Sequence, residues 1–197
     1  MTRLRSLKSI PLPLTTPRLI LREFREQDFD DIHHYGSQPD VVRFMIWGPN
    51  TEEETREFLD RKLAKQAARP RADVSVAAEL IAKGRVMGAL ELRILDPASR
   101  TGEFGYCFGR EHWNQGYATE AAGALIRVGF ETLGLRRITA NCDQRNTGSW
   151  RVMEKLGMRR EGAFRQDVRA RRGWRDSYLY AVLASEWRAR NAPGGSS

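Results

Sequence analysis

Two cysteines, Cys107 and Cys142, are the only thiols in a chain of 197 residues, and each falls inside a strand-like run. That scarcity gives little support to a disulfide framework or a cysteine-ligated metal cluster, and favours two reduced core thiols. Long apolar runs are missing as well. No stretch reaches the about 18 residues needed to span a bilayer, and Met1 to Leu14 lacks the apolar run of about 7 to 15 residues that a secretory signal requires. The chain therefore reads as cytoplasmic, with no membrane partner. His33, His34 and His112 form no recognisable metal pattern, and no internal repeat is visible.

What is present is enough apolar material, 41% of the residues, for one domain with a sizeable core. The formal charge is +8, from 33 basic and 25 acidic residues, and it favours anionic partners: nucleic acid, a ribosomal surface, or the phosphates of a small cofactor. Charge alone does not choose among them. Arg159, Arg160, Arg165, Arg169, Arg171, Arg172 and Arg175 are spread over an expected hairpin rather than gathered into a nucleic-acid motif, as in a solvated basic face.

Along the chain, Leu4 to Leu14 is basic and interrupted by Pro11 and Pro13, which predicts an extended arm carrying little of the fold. Arg18 to Phe24 suits a strand, after which Asp28 is placed to cap a short helix through about Ser37, and Pro39 marks a break. Thr51 and Glu54 form a capping-box pattern ahead of a helix striped with Phe58, Leu59 and Leu63, with Pro70 ending it. Val74 to Ile81 and Arg85 to Leu95 read as strands joined at Lys83-Gly84, and Asp96-Pro97 turns the chain into a third strand, Glu103 to Phe108. A helix from about Ala118 to Leu133 ends at Gly134, and a strand follows at Arg137 to Cys142. Trp150, Met153 and Leu156 recur at helical spacing within Thr147 to Leu156 and stop at Gly157. Two final strands lie near Met158 to Val168 and Trp174 to Leu183, and the end of the chain reads as a frayed tail. Strands, helix, strand, helix, strands is the order of an α+β chain: a mixed sheet with helices on its faces.

The most informative segment runs from Glu103 to Ala121: a strand, a polar turn centred on Gly116, then a helix. Glycine lets a backbone approach a ligand closely, and the following helix aims unpaired N–H groups and a partial positive charge into the turn, an arrangement that holds a pyrophosphate.

Four segments occur in order: Thr-Pro-Arg-Leu-Ile-Leu-Arg at 16–22, Trp-Asn-Gln-Gly-Tyr-Ala-Thr-Glu-Ala at 113–121, Asn146 to Ser149, and Glu-Lys-Leu-Gly-Met at 154–158. Together they resemble the GNAT superfamily of acetyl-CoA-dependent N-acetyltransferases, and within it the branch that acetylates the alanine or serine termini of ribosomal proteins. The resemblance runs from about Thr15 to Trp187. It implies a mostly antiparallel central sheet with a splayed pair of strands and helices on both faces, in one N-acetyltransferase domain over 15–187, with a basic arm at 1–14 and a flexible tail at 188–197.

By the same resemblance, backbone amides from Asn114, Gln115, Gly116, Tyr117, Ala118 and Thr119 hold the pyrophosphate of acetyl-CoA, although Trp113 stands where the family pattern has Gln or Arg. The strand's amides near Cys107 and Phe108 lie by the pantetheine and thioester, and Asn146 bonds the pantetheine arm, or else simply caps a helix. The implied chemistry is direct attack of a neutral amine on the thioester, with no metal. Glu103 matches a carboxylate proposed as base, and Ser149 a serine proposed to protonate the departing thiolate; Tyr106 is the poorer acid because strand alternation turns it away from Glu103. Cys107 makes a poor acyl acceptor, since no activating base is identifiable. A terminal amine with pKa near 8 costs only about 1 kcal/mol to deprotonate at pH 7, against roughly 4 to 5 for lysine, so a weak base suffices. The expected acceptor is a protein N-terminus, with a ribosomal protein or the ribosome as partner and a monomer or homodimer as the assembly. A small-molecule amine, or a non-catalytic ribosome- or RNA-associated module, are the alternatives.

Overall fold

The computed structural model describes residues 7, 10–68, 71, 73–171 and 173–192. Its chain order begins with β1 (Leu14–Thr15), β2 (Leu19–Arg22), α1 (Phe29–Gly36), the short α2 (Pro39–Val42) and α3 (Glu52–Ala67). It continues with β3 (Asp73–Leu80), β4 (Arg85–Asp96), β5 (Thr101–Phe108), α4 (Tyr117–Arg127), β6 (Arg137–Asp143), α5 (Thr147–Lys155), β7 (Arg159–Ala170), β8 (Gly173–Leu183) and α6 (Ala184–Arg190).

These strands form one sheet in the order β1-β2-β3-β4-β5-β6-β8-β7. Every neighbouring pair is antiparallel except β5 and β6, which are parallel because α4 carries the chain back across the sheet between them. That pair is joined only from Thr101↔Arg137 to Glu103↔Thr139. Beyond Glu103, β5 stays with β4 as far as Phe108, while β6 stays with β8 as far as Asp143. The sheet consequently splits into a V that opens past Glu103.

Two cores flank the sheet. On one face α4, α5 and α6 bury Leu125, Ile126, Met153 and Trp187 against Phe104, Phe108 and Ile138; full burial of each large aliphatic contributes roughly 1.5 to 3 kcal/mol. On the other, Ile32, Tyr35, Val42 and Leu59 from α1, α2 and α3 cover Ala77 and Cys107. Alternation along β5 thus sends Phe104 and Phe108 to the first face and Cys107 to the second.

The capping box ahead of α3 forms as its sequence predicts: Glu54 N donates to Thr51 Oγ1 at 3.1 Å, and Thr51 N to Glu54 Oε2 at 3.0 Å. Elsewhere tertiary contacts override local signals. Asp28 does not cap α1; its carboxylate instead takes the guanidinium of Arg22 at 2.8 Å on both oxygens and the amide of Arg25 at 2.8 Å. The break expected at Pro39 is present, since α1 ends at Gly36, and Pro39 then opens α2, where a first-turn proline needs no N–H partner. The expected helix to Leu133 ends its α-geometry at Arg127 and continues as a π-turn, Val128–Thr132. Gly129 sits in that turn where an added Cβ would come within 2.7 Å of Ile138, so the lack of a side chain sets how closely the turn packs on β6.

Residues 1–6 and 8–9 of the basic arm lie outside the described residues, as do Pro70, Arg172 and 193–197 of the tail. What is described of the arm takes part in the fold: Leu7 and Ile10 are buried in the main core, and Leu14 and Thr15 pair with Leu21 and Ile20 at the sheet edge. Likewise α6 runs to Arg190, so 188–190 are helical rather than tail. No helix among the described residues is long and apolar enough to cross a membrane.

Candidate active site

On one side of the split, the chain leaves β5 at Phe108, makes a short turn through Arg110–His112 and reaches α4 through Asn114 and Gly116, both in the left-handed region at φ 58° and 83°. The glycine bears that conformation without strain, while asparagine tolerates it better than most residues. Two side chains pin the turn. The indole of Trp113 donates to the Phe108 carbonyl at 2.8 Å, and Gln115 Nε2 to the Glu111 carbonyl at 2.7 Å. Trp113 thus acts as a brace for the loop in the place where the family pattern carries Gln or Arg.

No side chain caps α4, so its first amides face outward with the positive end of the helix dipole behind them. A Cβ on Gly116 would stand 3.4 Å from Arg18 Nη2, at a φ that side chains rarely adopt, so a substitution there narrows the cradle and strains it. These features suit a bound diphosphate.

The segment at 16–22 turns out to be the support of this cradle, a role that its sequence did not disclose. Glu120, in the first turn of α4, accepts Thr16 Oγ1 at 2.6 Å, Arg18 N at 2.9 Å and Arg18 Nε at 2.7 Å. Arg18 also donates Nη1 to the Gln115 carbonyl at 2.9 Å and lies 4.3 Å over the Tyr117 ring. Burial alone would push the Glu120 carboxyl up, but the bonds from Thr16 and Arg18 outweigh it and hold it below the usual carboxylate range.

At the split lies a cleft of about 700 Å³, lined from both faces of the sheet. Its walls include Glu103, Cys107, Asn146 and Ser149, whereas Phe108 and the loop at 114–119 stand outside it. Glu103 accepts Arg93 Nε at 2.8 Å and Asn141 Nδ2 at 2.7 Å. Deeper, Lys62 bonds Glu91 and donates to Ser75 Oγ at 2.9 Å, and Ser75 donates to Glu91 at 3.0 Å. Burial raises the Glu91 carboxyl, yet Lys62 and Ser75 together bring it below its ordinary value. None of these long-range partners is announced by local sequence.

Asn146 caps α5, its Oδ1 accepting from Ser149 N at 3.2 Å, the simpler of its two expected roles. Ser149 faces Tyr106: the phenol donates to the Ser149 carbonyl at 3.0 Å, and the two hydroxyl oxygens are 3.1 Å apart. Alternation places Tyr106 on the face opposite Glu103, and Ser149 of α5 meets it there. Burial pushes the Tyr106 phenol well up, so it stays protonated at neutral pH. Burial also pushes the thiols up, Cys107 to about 12 and Cys142 to about 11, far from the thiolate a nucleophile requires. Of the histidines, His33 Nδ1 lies 2.9 Å from Thr55 Oγ1 and His34 Nε2 lies 2.9 Å from Glu111.

A sheet split between parallel strands, with an outward-facing helix start after one of them and a cleft at the gap, suits a transferase that brings a phosphate-bearing donor and an acceptor together. Residues 18–159 match the family described as the Acetyltransferase (GNAT) domain. The chain is 34% identical over 174 residues to the uncharacterized N-acetyltransferase YnaD of Bacillus subtilis (strain 168), covering 88% of this chain and 98% of that protein. A crystal structure of a GNAT-family acetyltransferase from Bacillus anthracis superposes with a TM-score of 0.78 at 35% identity, over 87% of this chain and 98% of that one. A shorter match, 29% identical over 98 residues, covers 50% of this chain and 55% of the ribosomal-protein-serine acetyltransferase of Escherichia coli (strain K12). The chain belongs to the GNAT family of N-acetyltransferases, whose acetyl donor is acetyl-CoA.

Proposed function

We propose that the protein acetylates the α-amino group of a peptide or protein, in the manner of the ribosomal-protein branch. The observation that carries this reading is the cleft of about 700 Å³ at the split, whose walls include Glu103 while the loop at 114–119 stands outside it. The partial match to an enzyme named for a ribosomal-protein serine supports it.

Acetyl-CoA supplies the activated acetyl thioester, and the amides at 114–119, the strand edge near Cys107 and Phe108, and Asn146 are the groups suited to hold it. Glu103 is the base, taking the amine proton directly or through water, with Arg93 and Asn141 fixing its carboxylate. Because a terminal amine needs only about 1 kcal/mol to be neutral at pH 7, a carboxylate held by a cation is adequate. Ser149 is the acid for the thiolate, and Tyr106, bonded to it and still protonated, is able to restore its proton. The test is incubation with acetyl-CoA and peptides beginning with Ala or Ser, with lysine side chains blocked, read by mass spectrometry. Acetylation at the N-terminus supports the assignment; transfer to polyamines or free amino acids but to no peptide refutes it.

A further inference from the structure

Three cations line the cleft: Lys62, Arg93 and Arg175. Lys62 is paired with Glu91 and Arg93 with Glu103. Arg175 makes no ion pair among the described residues. Asp143, which senses its charge, gives both oxygens to Arg145, at 2.9 Å and 2.7 Å. Asp167, beside the Val168 that pairs with Arg175, also lines the cleft but is exposed and makes no ion pair with it.

The guanidinium is nevertheless held in place. Nη1 donates to the Phe44 carbonyl at 3.2 Å, and Nε is buried with no partner. Nη2 has no hydrogen bond to any described residue. Arg175 lies on β8 past Ser177, the residue paired with the last residue of β6, which puts it on the wall away from Glu103. A charged donor left without an acceptor is costly, and a fork already oriented by a backbone carbonyl loses little freedom on meeting a planar anion.

We propose that Arg175 is a specificity-determining residue that receives a carboxylate of the acceptor at Nη2, so that the acceptor is an amine carrying an acidic group. On the reading of this cleft as the acceptor site for a peptide terminus, on which the inference rests, the carboxylate is an Asp or Glu side chain just after the acetylated residue. The two walls then take opposite ends of the acceptor, the amine toward Glu103 and the acid toward Arg175.

The test compares amines that differ only in one carboxylate: peptides beginning Ser-Asp or Ser-Glu against Ser-Asn or Ser-Gln, and free amino acids against their amides. Wild type and the variants R175Q and R175K are used, with thermal midpoint and CoA affinity checking the fold. The wild type is expected to favour the acidic member by about tenfold or more in kcat/KM, mostly through KM, as one charge-assisted hydrogen bond gives. R175Q brings the ratio near one, and R175K, which keeps the charge without the fork, falls between. Equal rates for both members with the wild type overturn the inference, as does an undiminished ratio in R175Q or transfer only to polyamines. Discrimination among free amino acids with no peptide acetylated upholds Arg175 and refutes the peptide reading.

Discussion

Replacing Glu120 with alanine separates the support of the phosphate cradle from the cradle itself. The carboxylate makes three hydrogen bonds to Thr16 and Arg18. Thr16 keeps its exchange with Leu19, at 3.2 Å and 3.0 Å, so its hydroxyl is not orphaned. The Arg18 side chain is 44% exposed and Glu120 15%, so the ion pair itself is discounted to about 0 to 1 kcal/mol. Adding the charge-assisted bonds from the Thr16 hydroxyl and the Arg18 amide, at about 1.5 kcal/mol or somewhat more each, puts the loss near 3 to 4 kcal/mol. E120Q, which keeps the shape and one acceptor oxygen, loses about 1 kcal/mol. Because Arg18 also holds the Gln115 carbonyl and covers Tyr117, the freed loop is expected to bind CoA about tenfold more weakly, equivalent to about 1.4 kcal/mol. Urea unfolding gives the first quantity and calorimetric titration with CoA the second. A large stability loss with unchanged CoA affinity would refute the idea that the 16–22 segment orders the loop.

Glu103→Gln is expected to lower kcat by about a hundredfold or more, with CoA affinity little changed; full activity across the pH range would remove Glu103 as the base. Glu91, Glu120 and Asp143 all have carboxyls held below their ordinary values in the folded chain. Since a depressed folded pKa means that the unfolded state binds more protons, their stabilisation is complete above about pH 5 and is lost as the pH falls through the lower folded values. Urea midpoints measured from pH 7 to 3 should therefore fall in acid, and E91Q should flatten that slope. The buried thiols, with pKa values raised to about 12 and about 11, are expected to resist a thiol reagent at pH 8 in the native state and to react fully after denaturation; fast native labelling would contradict their placement.

The order of elements was largely readable because its signals are local. Thr51 and Glu54 announce a helix three residues apart, and Gly134 and Gly157 take positive φ where helices stop. The turn at Gly116 was equally plain, since both its glycine and its helix lie within a few residues. What stayed hidden depends on residues distant in sequence. Asp28 has the composition of a cap, but a buried guanidinium six residues away outbids the helix amides. Arg93 and Asn141 meet Glu103 from two neighbouring strands, β4 and β6, a juxtaposition fixed by register rather than by any spacing. Tyr106 is a related case: alternation gives its face, yet only the fold reveals that Ser149 shares it.

The way the split is closed bears on how it works. Past Glu103, β5 and β6 exchange no ladder hydrogen bonds, and side chains of β5 reach across instead: Glu103 to Asn141 of β6 at 2.7 Å, and Tyr106 to the Ser149 carbonyl of α5 at 3.0 Å. A ladder bond is replaced only by moving a strand that is held along its other edge by β4 or β8. A side-chain bond is exchanged by rotating a few torsions, and a typical one contributes only about 0.5 to 1.5 kcal/mol net. The edge of β5 and the cleft therefore meet where the sheet has side-chain contacts in place of a ladder, with a paired half-sheet to either side. On this argument the residues spanning the gap hold the apo site in register and are the ones available to reacting groups, so base and acid candidates fall on the bridges themselves.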